Sequence, residues 1–558
     1  MRLTKVLVAN RGEISIRVIR ACNEIGLRTV AIYTYEDRYS LHRYKADESY
    51  QIGTDDEPLK PYLDVNAIVD LAVKTGADAL HPGYGFLSEN PELVRACDAH
   101  GITFIGPQAE AMEALGNKVR AKEMAQKCGI PLVPSSEKAL ENEKDALAEA
   151  ARIGFPVILK AASGGGGRGM RVLWNGDDLK KNFRSARNEA LSAFGDDTVF
   201  LEKFIEEPRH MEVQILGDKH GNRVHLYERD CSVQRRFQKV VEMAPAWNLD
   251  QEVRQSICAY ALRIAQEVDY VNAGTVEFLV DKHGSAYFME INPRIQVEHT
   301  VTEMVTDIDL VKSQIYIAAG YALDSPEIGI KDQDSISTHG FAIQCRITTE
   351  DPANNFQPDY GTIMTFRSGA GFGVRLDEGS VYQGMRISPF FDSLLVKVSV
   401  RRSSLNEAVK AMTRTLREFR IRGVKVNIPF LINIINHPLF LEGKTTVNFI
   451  QAHPEVLDFV AEKDRATKMV RYLGEVVVNG NADVKRIDPT KVLHKPKVPD
   501  FRPAEEWPKG SKDLLMERGP EGVAKWLKEQ RAVQFTDTTM RDAHQSLLAT
   551  RMRTYDMM

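Results

Sequence analysis

Two acidic residues that should repel each other are the first sign of chemistry in this chain. The stretch "TVEFLVDKHGSAYFMEIN" (275–292) reads as a β-hairpin turning at His283 and Gly284. That register sets Glu277 directly opposite Glu290, with Asn292 on the same face. Like charges directly opposite each other destabilise a sheet. A divalent cation between two carboxylates and an amide oxygen reverses the sign, and an all-oxygen donor set suits Mg²⁺ or Mn²⁺ serving nucleotide phosphates. A solvated face, or a register shifted by two, is the alternative. "RIQVEH" follows, and alternation puts Arg294, Gln296 and Glu298 on one face of an extended segment. Guanidinium, amide and carboxylate side by side form an anion clamp with a base next to it; an exposed polar edge strand is the competing reading. "ERDCSVQRRFQKVVE" (228–242) gathers cations around Gln234 and Lys239, a pattern that by itself describes a solvated face. Cys231 within it lacks a His/Asn partner pattern and reads as a buried thiol.

A glycine run, "KAASGGGGRGMRV" (160–172), offers a fourth candidate. Gly164, Gly166 and Gly169 satisfy G-x-G-x-x-G, but a dinucleotide loop must open a helix. Here "MRVLW" follows, with β-type alternation. No Lys-Ser/Thr pair follows the last glycine, so a P-loop is excluded too. What remains is a hairpin flap whose bare amides approach phosphates, or a mobile surface turn. Lys160, just ahead of it, could add a point charge.

The elements that would position these groups begin with alternating strands and helices. "KVLVAN", "RTVAIYT", "ADALHP" and "ITFIGP" read as strands, and Ile14, Val18, Cys22 and Ile25 recur at helical spacing. This order implies a parallel, doubly wound sheet over roughly the first 110 residues, with "NRGE" (10–13) and "HPGYGFLSEN" (81–90) beyond its strands' carboxyl ends. From about 118 to 320, helices mix with hairpin-like strands. Mixed strands and helices, notably 404–419, follow over 335–450. Five prolines among charges mark 485–512 as a linker. "GPEGVAKWLKEQ" then reads as helix and "AVQFTDTT" as strand.

Bulk properties exclude several classes. At 558 residues the chain needs several cores. With 73 basic against 77 acidic residues, a net charge of −4, neither nucleic acid nor an anionic membrane is implied as partner. Its 6 cysteines are scattered without a CxxC, which argues against a disulfide framework or zinc site. No apolar run approaches the roughly 20 residues that span a bilayer. A strand-like run at Val6 to Val8 leaves no room for a signal peptide, so a reducing, cytoplasmic setting is expected.

In their order, the motifs "VANRGEISIRVIRA", "HPGYGFLSEN", "ILKAASGGGGRGM", "ERDCSVQRR", "VEFL…MEINPRIQVEHTVTEM" and "CRITTEDP" resemble biotin carboxylase, of the ATP-grasp superfamily, over roughly residues 1–450. The resemblance implies an α/β and α+β multidomain protein. A Rossmann-like N-terminal domain (1–117) precedes an ATP-grasp domain with a glycine-rich lid (118–334) and a mixed α/β C-terminal domain (335–452). It places ATP on Lys118, Lys160, Gly165, Gly166, Gly167, Glu202, Lys203, His210 and Gln234. Mg²⁺ or Mn²⁺ falls on Glu277, Glu290 and Asn292, and bicarbonate on Lys239, Arg294, Gln296 and Val297. Glu298 is the implied base, and Arg346 stabilises the enolate of biotin, itself a substrate carried on another domain. Phe237 departs from the family's usual histidine. The implied reaction makes carboxyphosphate from ATP and bicarbonate, then carboxylates biotin. Another ATP-grasp ligase, or a non-catalytic nucleotide-sensing module, is the alternative.

The tail adds a second resemblance. "RYLGEVVVNG" (471–480) looks like part of a small central tetramerisation and allosteric domain (453–530). "FTDTTMRDAHQSLLATRMRT" (535–554) resembles the opening of the carboxyltransferase domain of pyruvate carboxylases (531–558), with Arg541 and Gln545 on substrate and Asp542 on the metal. A barrel needs about 250 residues and no biotin-attachment motif is present, so an N-terminal piece is expected, limited to the ATP-dependent half reaction. The resemblance further implies a homodimer through the biotin carboxylase domain, a homotetramer at full length, and acetyl-CoA or a cyclic dinucleotide as allosteric ligand.

Overall fold

The computed structural model describes residues 3–136, 138–161, 170–194, 197–459, 465–481, 500, 507–546 and 555. Two compact units divide the chain, Met1–Val460 and Ala461–Met558. The first opens with a sheet of β1 (Lys5–Val8), β2 (Arg28–Tyr33), β3 (Glu48–Gln51), β4 (Ala79–His81) and β5 (Thr103–Phe104). Their order is β3-β2-β1-β4-β5, and every pairing is parallel, as the alternation of elements predicts. Val6, Leu7, Val8 and Val30 to Ile32 are fully buried because helices cover both faces. Asn90 caps the helix Pro91–Ala99 by accepting from the amides of Glu92 and Leu93, with proline at the first helical position. The loops after β1 and β4 meet where Asn10 donates to the carbonyls of Pro82 (2.7 Å) and Tyr84 (2.8 Å). This is the switch point of the sheet, where open α/β folds place ligands.

A three-stranded antiparallel sheet follows, β7 (Met170–Leu173) and β8 (Val199–Lys203) flanking β6 (Val157–Ala161). The strand after the glycine run therefore pairs back on the strand before it, as its alternation predicts. Gly165, Gly166 and Gly167 lie outside the described residues.

The largest sheet is antiparallel throughout. It comprises β9 (Arg209–Gly217), β10 (Arg223–Arg235), β11 (Gln238–Ala244), β12 (Asn272–Val280), β13 (Ala286–Asn292), β14 (Phe341–Thr348) and the strands Val374–Glu378 and Leu394–Arg402. The order runs β13-β12-β9-β10-β11-β14, then Leu394–Arg402 and Val374–Glu378. β11 pairs with β14, so one sheet spans both regions that the sequence divides near residue 335. Val241, Cys345, Val398, Met412 and Phe430 share one core beneath it.

In the second unit, the helix Ser511–Glu529 bends at Gly519, whose φ of +67° precedes Pro520. Residues 532–539, expected as a strand, form none: 532–538 belong to no strand, Thr539 opens the helix Thr539–Ser546, and among the described residues of this unit no strand is present to complete a ladder. The proline-marked linker lies mostly outside the described residues. All six cysteines are free thiols, and no helix among the described residues is long and apolar enough to cross a membrane.

Three buried histidines and the half-buried His225 give the first unit a testable acid response. Burial pushes His42 and His225 down to about 4, and His81 and His299 to about 3. In the unfolded chain each titrates near ~6.5, so the unfolded state takes up protons first as pH falls. Their contribution is complete above that value and is lost toward pH ~3. The unfolding free energy is expected to drop between pH ~6.5 and ~5, by at most about 1.4 kcal/mol per histidine per pH unit, and the urea midpoint with it. A flat midpoint over that window would contradict it.

Candidate active site

A cavity of about 860 Å³ opens between the loops after β1 and β4 and the large sheet. A row of charges crosses four strands of that sheet, and Glu277 and Glu290 of the row line the cavity. Register pairs Glu290 on β13 with Glu277 on β12, Glu277 with Glu212 on β9, and Glu212 with Arg229 on β10. The predicted Glu277–Glu290 pairing is present, but by a different route. The β12–β13 turn is one residue longer than expected, since the Asp281 amide donates to the Ser285 carbonyl. A bulge between Phe278 and Glu277 then takes up the extra residue and restores the register.

Three adjacent carboxylates need cations, and Lys239 serves most of them. Its Nζ donates to Glu212 at 2.5 Å, Glu298 at 2.7 Å and Glu277 at 2.9 Å, using all three ammonium protons. Arg229, fully buried, takes the other side of Glu212 and donates to Gln214 (2.8 Å) and Thr302 (2.9 Å). Arg346 bonds the second oxygen of Glu298 at 3.0 Å and Glu242 at 2.5 Å. Burial would raise the Glu298 carboxyl, but Lys239, Arg346 and Arg229 outweigh it and hold the group well below the usual carboxylate range. The same contest keeps Lys239 charged: burial lowers its pKa, while Glu212, Glu298 and Glu277 raise it well above normal.

Glu277 also meets His210 Nε2 at 2.8 Å and accepts from Asn292 (3.0 Å) and Gln296 (3.3 Å). Burial raises its pKa; Lys239 and His210 more than reverse the shift. His210 Nδ1 lies 2.7 Å from Gln234 Nε2. Glu277, Asn292 and the half-buried Glu290 carry side-chain oxygens on two paired strands, a hard-ligand set that suits Mg²⁺ or Mn²⁺ once Lys239 and His210 release Glu277 and Arg294 releases Asn292 Oδ1.

The clamp differs from its expected form. Arg294 donates to Gln296 Oε1 (2.5 Å) and Asn292 Oδ1 (3.1 Å) and pairs with Glu89 (3.0 Å). Glu298 does not share an extended face with them. It occupies the N-cap of the helix His299–Thr306, with φ −88° and ψ 10°, and this turn swings its carboxylate to Lys239 and Arg346. The helix start, invisible to a period-2 reading, makes the difference.

Other expected contacts lie on the small sheet. Lys160 pairs with Glu202, which Lys122 also approaches at 3.5 Å. Lys203 Nζ is engaged by the carbonyls of Gly154 (2.9 Å) and Phe155 (2.8 Å). Lys118 opens the helix Lys118–Lys127. Phe237 sits with Arg236 at positive φ in a two-residue turn at the cavity rim, 69% exposed. Arg541, Asp542 and Gln545 lie on the exposed helix Thr539–Ser546 of the second unit, where Arg541 and Asp542 pair at 2.8 Å.

Known proteins resemble this chain in sequence and fold. Residues 2–112 match the family "Biotin carboxylase, N-terminal domain", 117–326 "Carbamoyl-phosphate synthase L chain, ATP binding domain", and 344–452 "Biotin carboxylase C-terminal domain". The solved biotin carboxylase domain of a thermophilic 2-oxoglutarate carboxylase, bound to bicarbonate, is 46% identical with a TM-score of 0.78; the match covers 82% of this chain and 100% of that one. The chain belongs to the biotin carboxylase family. Pyruvate carboxylase of Bacillus subtilis (strain 168) is 51% identical over 558 residues, all of this chain but 48% of that protein. A Rhizobium etli pyruvate carboxylase variant solved with the allosteric activator acetyl coenzyme A is 52% identical with a TM-score of 0.78, over 100% of this chain and 49% of that one. The chain thus spans about half the length of these pyruvate carboxylases.

Several residues of this candidate site escape a reading of motifs alone. Glu212 and Arg229 complete the charge row, Glu242 anchors Arg346, and Glu13 accepts the Tyr84 hydroxyl at the sheet's switch point. Glu212 carries a usable signal, a lone acid in the apolar strand "HMEVQIL". Its partners emerge only from the strand order.

Proposed function

We propose that this chain carboxylates biotin with ATP and bicarbonate, as the first half reaction of pyruvate carboxylase. Glu298 carries the reading: a buried carboxylate between two cations, itself part of the cavity lining. Bicarbonate is held by Lys239, Arg294, Gln296 and Val297. Its proton passes to Glu298 as its oxygen attacks the γ-phosphorus of ATP and the bond to ADP breaks. Cations that hold Glu298 ionised also weaken it as a base. When Lys239 turns part of its charge to the incoming anion, that basicity returns. Carboxyphosphate then releases CO₂ and phosphate, the phosphate removes the ureido proton of biotin, and Arg346 stabilises the enolate that captures CO₂. Glu277, Glu290 and Asn292 would hold Mg²⁺ or Mn²⁺, which when bound neutralises charge on the ATP phosphates. Lys118, Lys160, Gly165 to Gly167, Glu202, Lys203, His210 and Gln234 form the ATP site, with the glycine run as a lid that keeps water from carboxyphosphate.

The domain boundaries set out from the sequence belong to the same proposal. So do a homodimer through the biotin carboxylase domain, a tetramer of the longer protein, control by acetyl-CoA or a cyclic dinucleotide, and a cytoplasmic setting. Conversion of pyruvate to oxaloacetate is assigned to that longer protein, with Arg541, Asp542 and Gln545 in its second site. The test is ATP hydrolysis by this chain with and without bicarbonate, then with free biotin. Stimulation by both is expected; bicarbonate-independent hydrolysis, or none, would overturn the proposal.

A further inference from the structure

The geometry points to Lys397 as a positioning residue for the bicarbonate clamp, an inference that rests on the carboxylase reading above. Lys397 sits on the strand Leu394–Arg402, in register with Arg346 on one neighbour and Asp377 on the other. Two cations thus face each other across one pairing, a repulsive arrangement unless each is claimed by a different anion. Arg346 goes to Glu298 and Glu242. Lys397, with no exposed surface, donates to the Val297 carbonyl at 2.9 Å and pairs with Glu13 at 2.9 Å.

Val297 lies between Gln296 of the clamp and Glu298, the base. Its carbonyl therefore sets how the two are presented to one anion. Glu13 lies in the first turn of the helix Gly12–Glu24, which follows β1, and accepts the hydroxyl of Tyr84 from the loop after β4. One buried ammonium thus ties the clamp to the helix start after β1, and through Tyr84 to the loop after β4, at the switch point of the parallel sheet. An apolar side chain of similar volume would avoid the cost of burying this charge. What the charge adds is the fixed position of the Val297 peptide.

The whole chain is assayed as steady-state ATP hydrolysis with bicarbonate varied. If wild-type protein shows no bicarbonate stimulation, the carboxylase reading fails and this inference falls with it. With stimulation present, Lys397→Met is expected to raise KM for bicarbonate about tenfold while KM for ATP stays within about twofold. A loss of packing alone would move both constants or neither. The variant Glu13→Gln/Lys397→Met removes the buried charge that the single change strands, so its thermal midpoint recovers, yet the Val297 carbonyl still lacks the ammonium and the bicarbonate KM stays raised. Equal rises in both KM values, or a double variant with wild-type bicarbonate KM, would sink the assignment. If the single variant does not fold, the double variant decides by the same readout. Failure of both to fold would make Lys397 a structural post and nothing more.

Discussion

Glu298→Gln is expected to lower bicarbonate-dependent ATP turnover by about three orders of magnitude, the scale of a lost general base, with nucleotide affinity within about twofold of wild type. The amide keeps the shape of the carboxylate and can still accept from Lys239 or Arg346, so the pocket is not collapsed by the change. What it cannot do is take a proton from bicarbonate. The removal of one negative charge also leaves Lys239 and Arg346 less neutralised, so bicarbonate itself should bind no more weakly. Turnover with and without bicarbonate, together with calorimetric titration of ADP, separates these terms. Loss of nucleotide affinity in the variant would make Glu298 a nucleotide or metal residue and remove the base from the mechanism.

Lys239→Met carries the second large effect, and it falls on stability as well as turnover. In the native cluster one ammonium faces Glu212, Glu277 and Glu298. Removing one partner of a buried ionic cluster typically costs about 3–5 kcal/mol, because the remaining charges stay buried without compensation. The sign of the pH dependence follows from the direction of the shifts. Glu277 and Glu298 are held below their unfolded values, so their contribution is complete above pH ~4.3 and is lost as pH falls through the folded values. Without Lys239 those folded values rise, and acid unfolding should begin at a higher pH. Urea midpoints at several pH values test this. Glu212→Gln/Lys239→Met should regain part of the loss, since one stranded carboxylate is gone. A Lys239→Met protein as stable as wild type at every pH would show that the row is balanced by other groups.

The fold was readable where one element decides its own structure. Continuous apolar runs gave the parallel strands, and alternation after the glycines gave a hairpin in place of a helix. The Glu277–Glu290 pair was readable too, although the turn and the bulge that produce it offset each other unseen. Legibility ended wherever a site depends on neighbours distant in sequence. Glu212 meets Glu277 only because β9 lies beside β12, and hydrophobic patterns do not rank the possible strand orders. The clamp departs from its sequence pattern for a local reason: "RIQVEH" alternates like a strand, but a helix begins at its last residue and takes Glu298 to another face. Lys397 gave no signal at all, as a lysine in "LLVKVSV" reads as the solvent side of a strand.

The pairing of β11 with β14 also fixes where this molecule can be cut. A piece that stopped at the apparent boundary near residue 335 would strip the large sheet of three strands and leave β11 as a bare rim of unpaired amides and carbonyls. Such a rim recruits strands from other molecules, so the shortened protein should associate through it and would also lack Arg346. The smallest self-sufficient unit of this enzyme is therefore larger than the part that holds ATP.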